Sequence, residues 1–148
     1  MADPISSIVA CISLISTIGR TSSGIASFVR SYRALPSDLD NMSRDLTPLR
    51  NVLSLLKDNF ATVDDQAVPE TIRKEIIDII SNCRRVLEEL DELLQRHNGG
   101  LSQALRWATT GSQDAAKLRW NLDAYRGTLH LALELLKQYV YIQDHCLE

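Results

Sequence analysis

The spacing of leucine constrains this chain more than any other feature of its sequence. Between residues 39 and 60, apolar side chains recur at alternating steps of three and four, which places them on one face of an α-helix. Charged residues occupy the positions between them, whereas a half-buried strand would alternate at every second position. The segment is therefore predicted to be an amphipathic helix whose buried face is formed by Leu39, Met42, Leu46, Leu49, Leu53, Leu56 and Phe60.

Two further segments repeat this spacing and complete the prediction of the fold. One begins at Pro69, a residue common in the first turn of helices, and ends at His97-Asn98-Gly99-Gly100, a helix stop. The chain contains 22 leucines and 12 isoleucines but only 5% aromatic residues, a composition that favours helices over a β-sandwich. We predict an all-α, compact helical bundle of four to five helices in a single domain over residues 1–146. The predicted helices cover about 4–33, 37–59, 69–97, a short one at 101–109, and 113–142.

The later helices carry defined apolar stripes. Pro48 is predicted to kink the second helix or to restart it, and residues 58–68 are predicted to form the loop that follows. In the last helix, Gly127 indicates a close contact with another helix, since glycine there costs about 1 kcal/mol relative to alanine. The predicted core of the third helix is Ile72, Ile76, Ile79, Cys83, Val86, Leu90 and Leu93, broadened by Ile77, Ile80, Leu87 and Leu94. That of the last helix is Leu118, Leu122, Tyr125, Leu129, Ala132 and Leu136, flanked by Trp120, Leu131 and Leu135.

The N-terminal helix differs from the others because it has no charged face. Residues 4–19 contain no charged side chain, and as a helix this run is about 24 Å long, shorter than the ~30 Å hydrocarbon core of a bilayer. Asp3 stands where a secretory signal would carry a basic residue. Two interpretations follow: a central helix covered by the bundle on all sides, or a segment that can move from the bundle into lipid. One predicted face carries Ile5, Ile8, Ile12 and Ile15, widened by Val9, Leu14 and Ile18, and the other is weakly polar, with Ser6, Ser13, Thr17, Arg20, Gly24 and Ser27.

Net charge and cysteine content exclude several classes of function. The formal net charge is −3 and the sequence pI is about 5.6, which argues against nucleic-acid binding. The charge is uneven, with a net +2 over residues 1–37 and a net −5 over the remainder. Cys11, Cys83 and Cys146 form no CxxC pair, so we expect an intracellular, reducing location in which the first two act as small core residues. The final Leu147-Glu148 resembles an expression-vector remnant.

No constellation of polar residues points to catalysis. The sequence lacks the phosphate-binding, nucleophile-elbow and zinc-protease motifs, and its histidines have no metal-ligand spacing to the cysteines. The acidic cluster of Glu88, Glu89, Asp91 and Glu92 is best explained as the solvated face of a helix. We therefore expect a protein that is not an enzyme, with no cofactor, no metal site and no small-molecule substrate.

Three segments of the sequence resemble one known family. They are MADPISSIVACISLIS at the N-terminus, ALPSDLDNMSRDLTPLRNVLSLL after it, and KLRWNLDAYRGTLHLALELL, preceded by LRW, towards the C-terminus. In this order they resemble the HeLo-like N-terminal domains of fungal STAND (NOD-like) receptors over about residues 1–142. The resemblance implies a helical bundle that acts in fungal innate immunity and heterokaryon incompatibility by inducing programmed cell death.

The resemblance also implies a mechanism and a set of partners. In such domains, self-association directed by a STAND receptor or an amyloid-signalling partner moves the protein from the cytoplasm to the plasma membrane. The N-terminal helix then inserts among anionic lipids, and the assembly permeabilises the membrane as a pore. The alternative is a non-membrane adaptor domain that oligomerises while its first helix stays buried. Carried onto this chain, the insertion helix contains Ile5, Ile8, Val9, Ile12, Leu14, Ile15 and Ile18, and Arg20, Arg30 and Arg33 contact lipid headgroups.

Overall fold

Four long α-helices make up the part of the chain that the structure describes. The structure is a computed structural model, and it describes residues 4–30, 37–63, 67–97 and 107–146. Within these ranges there is no β-strand, so the predicted all-α bundle is confirmed. The helices are α1 (Pro4–Arg30), α2 (Ser37–Thr62), α3 (Glu70–Arg96) and α4 (Ser112–Cys146), and a π-helical turn (Trp107–Gly111) precedes α4.

α2 runs unbroken through Pro48. This proline lacks the N–H that would donate to the carbonyl of Arg44, one helical turn earlier. Both residues are exposed, so water can take the place of the missing hydrogen bond without breaking the helix. The predicted restart of the helix at this point is therefore wrong, and the kink stays a prediction.

The loop between α2 and α3 is shorter than predicted. Phe60 and Val63 are buried and extend the apolar stripe of α2 beyond residue 58, the predicted start of the loop. At the other end, Pro69 lies just before α3 rather than in its first turn. Its carbonyl accepts a backbone hydrogen bond from Ile72 at 3.1 Å, which starts the helix.

The π-helical turn leads directly into α4. The ring of Trp107 is buried and covers Gly111, where an added Cβ would lie 2.5 Å from the ring. The predicted gap between the short helix at 101–109 and the last helix at 113–142 is therefore wrong, because helical backbone continues through residues 110–112. Of the predicted short helix at 101–109, residues 101–106 lie outside the described residues.

The helices pack as a square in which α2 and α3 lie across one diagonal and α1 and α4 across the other. α1 packs against α2 and α3, and α4 packs against the same two helices. Residues 31–36 link α1 to α2 and reach at most about 25 Å, less than the roughly 40 Å length of α1. α2 therefore starts at the end of the bundle where α1 ends, and the two helices are antiparallel.

Hydrogen bonds across two seams show which helices run in the same direction. Along each seam the numbers of the partner residues rise together, so α1 is parallel to α3 and α2 is parallel to α4. The pairs are Ser13–Arg84 and Thr21–Asp91 between α1 and α3, and Asp45–Arg119 and Thr62–Gln143 between α2 and α4.

The core is built from the predicted apolar stripes, with corrections in α3 and α4. Some of the predicted residues are only half-buried, namely Ile72, Ile77 and Ile79 in α3 and Tyr125 and Ala132 in α4. Every predicted core residue of α2 is buried, and in α3 the broadening residues Ile80, Leu87 and Leu94 are buried as well. In α4, Leu133 joins the core although it lies outside the predicted stripe. The predicted flank of that stripe is wrong, because Trp120, Leu131 and Leu135 are exposed on the side of α4 away from the core.

Candidate functional site in the first helix

α1 occupies a corner of the bundle, and one of its faces is not covered by another helix. It packs against α2 and α3 and lies diagonally opposite α4. Val9 and Ile12 on the outward face are 57% and 51% exposed, so the interpretation of α1 as a central helix covered on all sides is wrong. The outward face consists of Val9, Ile12, Ser16, Gly19, Arg20, Ser23, Ala26, Ser27 and Arg30, and the inward face of Ser7, Cys11, Leu14, Thr17, Ile18, Thr21, Ile25 and Phe28.

The predicted insertion residues are divided among three environments and do not form one face. Two lie in the core, two are half-buried against it, and two are exposed. Of the predicted headgroup contacts, Arg20 and Arg30 are exposed on α1, whereas Arg33 lies outside the described residues. The core residues are Leu14 and Ile18, the half-buried ones are Ile8 and Ile15, and the exposed ones are Val9 and Ile12. Ile5 belongs to the first turn of α1, where the backbone alone is described.

The seam between α1 and α3 is polar. Arg84 of α3 donates a hydrogen bond to the Ser13 hydroxyl, and Thr21 Oγ1 donates to Asp91 Oδ2 at 3.5 Å. The weakly polar face predicted for α1 therefore meets polar side chains of α3. Sequence reasoning missed Arg84 and Asp91 as partners of α1, because the only signal for them is polar residues at helical spacing on two helices about seventy positions apart.

Two side chains of this seam form hydrogen bonds within α1 itself. Thr17 is buried, and its hydroxyl donates to the Ser13 carbonyl at 3.0 Å and accepts from the Arg20 guanidinium at 3.2 Å. Such bonds from a side chain to its own helix remain available when the helix changes its surroundings. Transfer of α1 out of the bundle would therefore leave the Thr17 hydroxyl satisfied.

The polar groups of the seam are not all satisfied. Ser7 Oγ and Arg84 Nε are buried and have no hydrogen-bond partner among the described residues. A buried polar group without a partner costs about 1–3 kcal/mol. The seam therefore holds α1 less tightly than its buried area alone implies.

Asp91 is partly buried against α1 rather than on the solvated face predicted for the acidic cluster of α3. Burial raises the pKa of its carboxyl above the ordinary value, and the nearby Glu88 adds to this, while the hydrogen bond from Thr21 and the charge of Arg20 oppose it. Glu88, Glu89 and Glu92 are exposed, as predicted. In the described part of the chain, no group of three or more His, Cys, Asp or Glu side chains is placed to hold a metal ion.

An open cavity of about 330 Å³ lies beside Asp91, between the second half of α1 and the end of α3. Arg20 and Asp91 give it one charge of each sign, and Gly24 brings the α1 backbone close, since a Cβ added there would lie 3.9 Å from Asp91 Oδ1. The cavity leaves a gap in the contact between α1 and α3 beside Asp91. Its lining consists of Arg20, Gly24, Ser27, Phe28, Asp91, Leu94 and Gln95.

Buried thiols lie on both helices of the seam. Cys11 of α1 and Cys83 of α3 are fully buried and free, and burial raises the pKa of each to about 12. Both therefore act as small core residues, as predicted, and are unreactive while the bundle is closed.

An aromatic cluster fixes the C-terminal end of α1. The ring of Phe28 packs against Trp107 at a centroid distance of 5.3 Å, and Trp107 in turn meets the edge of His97 at 5.7 Å. His97 is the residue that ends α3, so the cluster joins the ends of α1 and α3 to the start of the π-helical turn. α1 is therefore anchored at its C-terminal end by apolar contacts, whereas its first half carries the two exposed apolar residues.

The length of α1 changes the comparison with a bilayer. The segment Ser7–Arg30 comprises 24 residues, about 36 Å of helix, and is long and apolar enough to cross a membrane by length and composition. A third of its apolar window is buried in the bundle. The uncharged run of residues 4–19 is shorter than this segment because it ends before Arg20, whereas the helix continues to Arg30.

Comparison with known proteins identifies the family. Searches of the curated proteins and of the solved structures find no match to this chain. Among protein families, the one described as "Pigment biosynthesis cluster protein PigL N-terminal" matches residues 2–144, which span all four helices and the polar seam. The chain therefore belongs to the PigL N-terminal domain family.

Proposed function

We propose that this domain is a membrane-targeting effector that releases α1 from the bundle into a lipid bilayer and thereby induces cell death. The observation that carries the proposal is the position of α1, an apolar helix at a corner of the bundle with an outward face that is uncharged up to Arg20. Val9 and Ile12 already contact solvent on that face. Exposed apolar side chains that adjoin one another are characteristic of interaction and membrane-binding surfaces.

The polar seam lowers the cost of releasing α1. A hydrogen bond from a charged group, such as Arg84–Ser13, contributes a net of about 1.5–3 kcal/mol, because water replaces the partner when the bond opens. The apolar surface uncovered on α2 and α3 costs more, at about 25 cal/mol per Å². Lipid must cover α1 and self-association must cover the remaining helices, so release is expected to be cooperative and dependent on both.

The arginines of α1 set how far the helix enters the bilayer. Arg20 and Arg30 are exposed and follow the most apolar part of the helix, which ends at Ile18. Anionic headgroups attract each arginine near the surface by about 1 kcal/mol. In the proposed membrane-bound state, residues up to Ile18 enter the bilayer and the arginines stay at the cytoplasmic surface.

Membership of the PigL N-terminal domain family and the resemblance to fungal HeLo-like domains support the biological context of this proposal. In that context the domain is the effector part of a fungal innate-immunity or incompatibility receptor. A STAND receptor or an amyloid-signalling partner drives its self-association, and the domain moves from the cytoplasm to the plasma membrane.

Vesicle permeabilisation tests the role of α1. Vesicles of phosphatidylcholine with phosphatidylserine and an entrapped dye are mixed with the intact domain and with Ile12→Asp. A charged side chain costs up to about 3 kcal/mol within a bilayer, so we expect at least a tenfold loss of dye release. The control is Leu55→Asp on α2, since Leu55 is 45% exposed and lies on neither seam of α1.

Two results would overturn the proposal. One is equal dye release by the intact domain, Ile12→Asp and a deletion of residues 2–20. The other is a loss of release in Leu55→Asp as large as in Ile12→Asp, which would show that added charge alone is responsible. Viability of yeast cells that express the same variants tests the cell-death role separately.

A further inference from the structure

The exposed apolar residues of α4 form one continuous stripe opposite the core. Trp120 is 78% exposed, Leu131 is 71% exposed and Ile142 is 54% exposed. The positions recur at steps of three and four over about 40 Å of helix, and none of them carries a charge. We name this surface the α4 outer stripe; its members are Ala116, Trp120, Ala124, Gly127, Leu131, Leu135, Gln138 and Ile142.

Gly127 lies at the middle of the α4 outer stripe and has no packing role among the described residues. No other described part of the structure comes within 4 Å of a Cβ added there, although glycine is a poorer helix former than alanine. The close helix contact predicted at this glycine is therefore not made by any described helix of the same chain. Gly127 and Ala124, one turn earlier, leave a flat stretch that a helix from outside can approach closely.

The charges beside the stripe complement a second copy of the same helix in one arrangement. When two α4 helices cross antiparallel next to Gly127, residues equally far from the crossing point face each other. This register places Arg119 opposite Glu134 of the second copy and Asp123 opposite His130, and two-fold symmetry forms each pair twice. All four side chains lie along the same edge of the stripe, which is the edge that faces itself in an antiparallel pair. The Arg119 guanidinium, which also pairs with α2 within the chain, has N–H donors enough for both partners.

The same register gives the exposed tryptophan an apolar site. Trp120 falls between Leu131 and Leu135 of the second copy, about two turns of helix away from the crossing point on either side. A shallow groove of about 480 Å³ beside Trp120, lined by Ala116, Lys117 and Asn121, leaves room for the opposing side chains. The α4 outer stripe therefore supplies both the projecting side chains and the surface that receives them, as a two-fold interface requires.

We propose that the α4 outer stripe is a homodimer interface, in which two copies of this domain pack α4 against α4 antiparallel and cross at Gly127. One helix face per copy lies at the small end of specific interfaces, so a reversible dimer with a micromolar dissociation constant is expected. α1 is diagonally opposite α4 and stays outside this interface. The inference therefore does not depend on the proposed membrane function.

Sedimentation without lipid tests the dimer. The intact domain is expected to shift from monomer to dimer between low and high micromolar concentration, and Leu131→Glu is expected to raise the dissociation constant at least tenfold. Leu55→Glu, on α2, is the control and is expected to leave the dimer unchanged. The inference is wrong when the intact domain stays monomeric throughout, or when Leu131→Glu dimerises as the intact domain does; circular dichroism confirms that each variant is folded.

Disulfide cross-linking tests the orientation. In a Cys146→Ser background, Gly127→Cys is expected to cross-link to itself under mild oxidation, and Trp120→Cys to cross-link only when mixed with Leu135→Cys. Efficient self-linking of Trp120→Cys indicates a parallel pair and overturns the inference. A blue shift of tryptophan fluorescence on vesicles, with the protein monomeric at high concentration, assigns the stripe to lipid instead and overturns it as well.

Discussion

Gly111 and Gly19 have opposite surroundings, and this makes them a matched pair for substitution by alanine. A Cβ at Gly111 would meet the buried Trp107 ring at 2.5 Å, whereas nothing lies within 4 Å of one at Gly19. We expect Gly111→Ala to lower the free energy of unfolding by about 1–3 kcal/mol, because the ring must move within a packed core. Gly19→Ala should raise it by about 0.5–1 kcal/mol, because alanine is the better helix former. Urea denaturation followed by circular dichroism measures both, and equal shifts in the same direction would contradict this account.

The raised pKa of Asp91 makes the free energy of unfolding depend on pH. The sign of this dependence is opposite to that expected for a carboxylate in a salt bridge, whose pKa is lowered. Since the pKa of Asp91 is raised in the folded state, the bundle binds this proton more tightly than the unfolded chain does. Its contribution to the free energy of unfolding is therefore largest in acid and is lost as pH rises from the unfolded value of 3.8 through the folded one. Asp91→Asn keeps an acceptor for Thr21 and is expected to stabilise the domain at neutral pH and to remove this loss.

The measurement for Asp91 is urea denaturation at several values between about pH 4 and pH 7, compared with the intact domain. Arg20 and Glu88 also face this carboxyl, so neutral variants of each are measured alongside. Glu92→Gln is the control, because Glu92 is exposed on the same helix and lines a cavity with residues of α4. A destabilised Asp91→Asn at neutral pH would show that its attraction to Arg20 outweighs burial.

At the scale of the helix, the sequence predicts correctly which side is buried when only one face of the helix is apolar. α2 and α3 have charged residues between their leucines, so the spacing alone specifies which side is buried. α1 has no charged face, and its orientation depends on Arg84 and Asp91, which lie far away in the sequence. α4 carries apolar residues on two opposite sides, and the pattern predicts the buried stripe but not that Trp120, Leu131 and Leu135 face away from the core. The sequence therefore predicts which helix forms the candidate site, but not which residues of that helix are exposed and which contact α3.

The buried thiols report on the movement proposed for α1. In a Cys11→Ala, Cys146→Ser background, Cys83 is the single thiol, and burial with a pKa of about 12 keeps it unreactive. Withdrawal of α1 opens the core in which Cys83 is buried. We expect labelling by a maleimide to be slow in buffer and at least tenfold faster with phosphatidylserine vesicles, because lipid shifts the population towards the open state. Binding to vesicles with Cys83 still protected would show that the bundle stays closed on the membrane.

At the scale of the whole molecule, the two proposed surfaces lie on opposite corners of one bundle. In a dimer formed through α4, the α4 helices are central and the two α1 helices face outwards in opposite directions. One dimer can therefore bring its two α1 helices to two different bilayers, which a monomer cannot do.

We expect the intact domain to cluster anionic vesicles at micromolar concentration, as measured by dynamic light scattering. Leu131→Glu should bind vesicles within about twofold of the intact domain yet cluster them poorly, since substitutions at distant sites act independently. Ile12→Asp should fail in both assays while still forming dimers in buffer. Undiminished clustering by Leu131→Glu would show that the two bilayers are joined through some other surface than the α4 outer stripe.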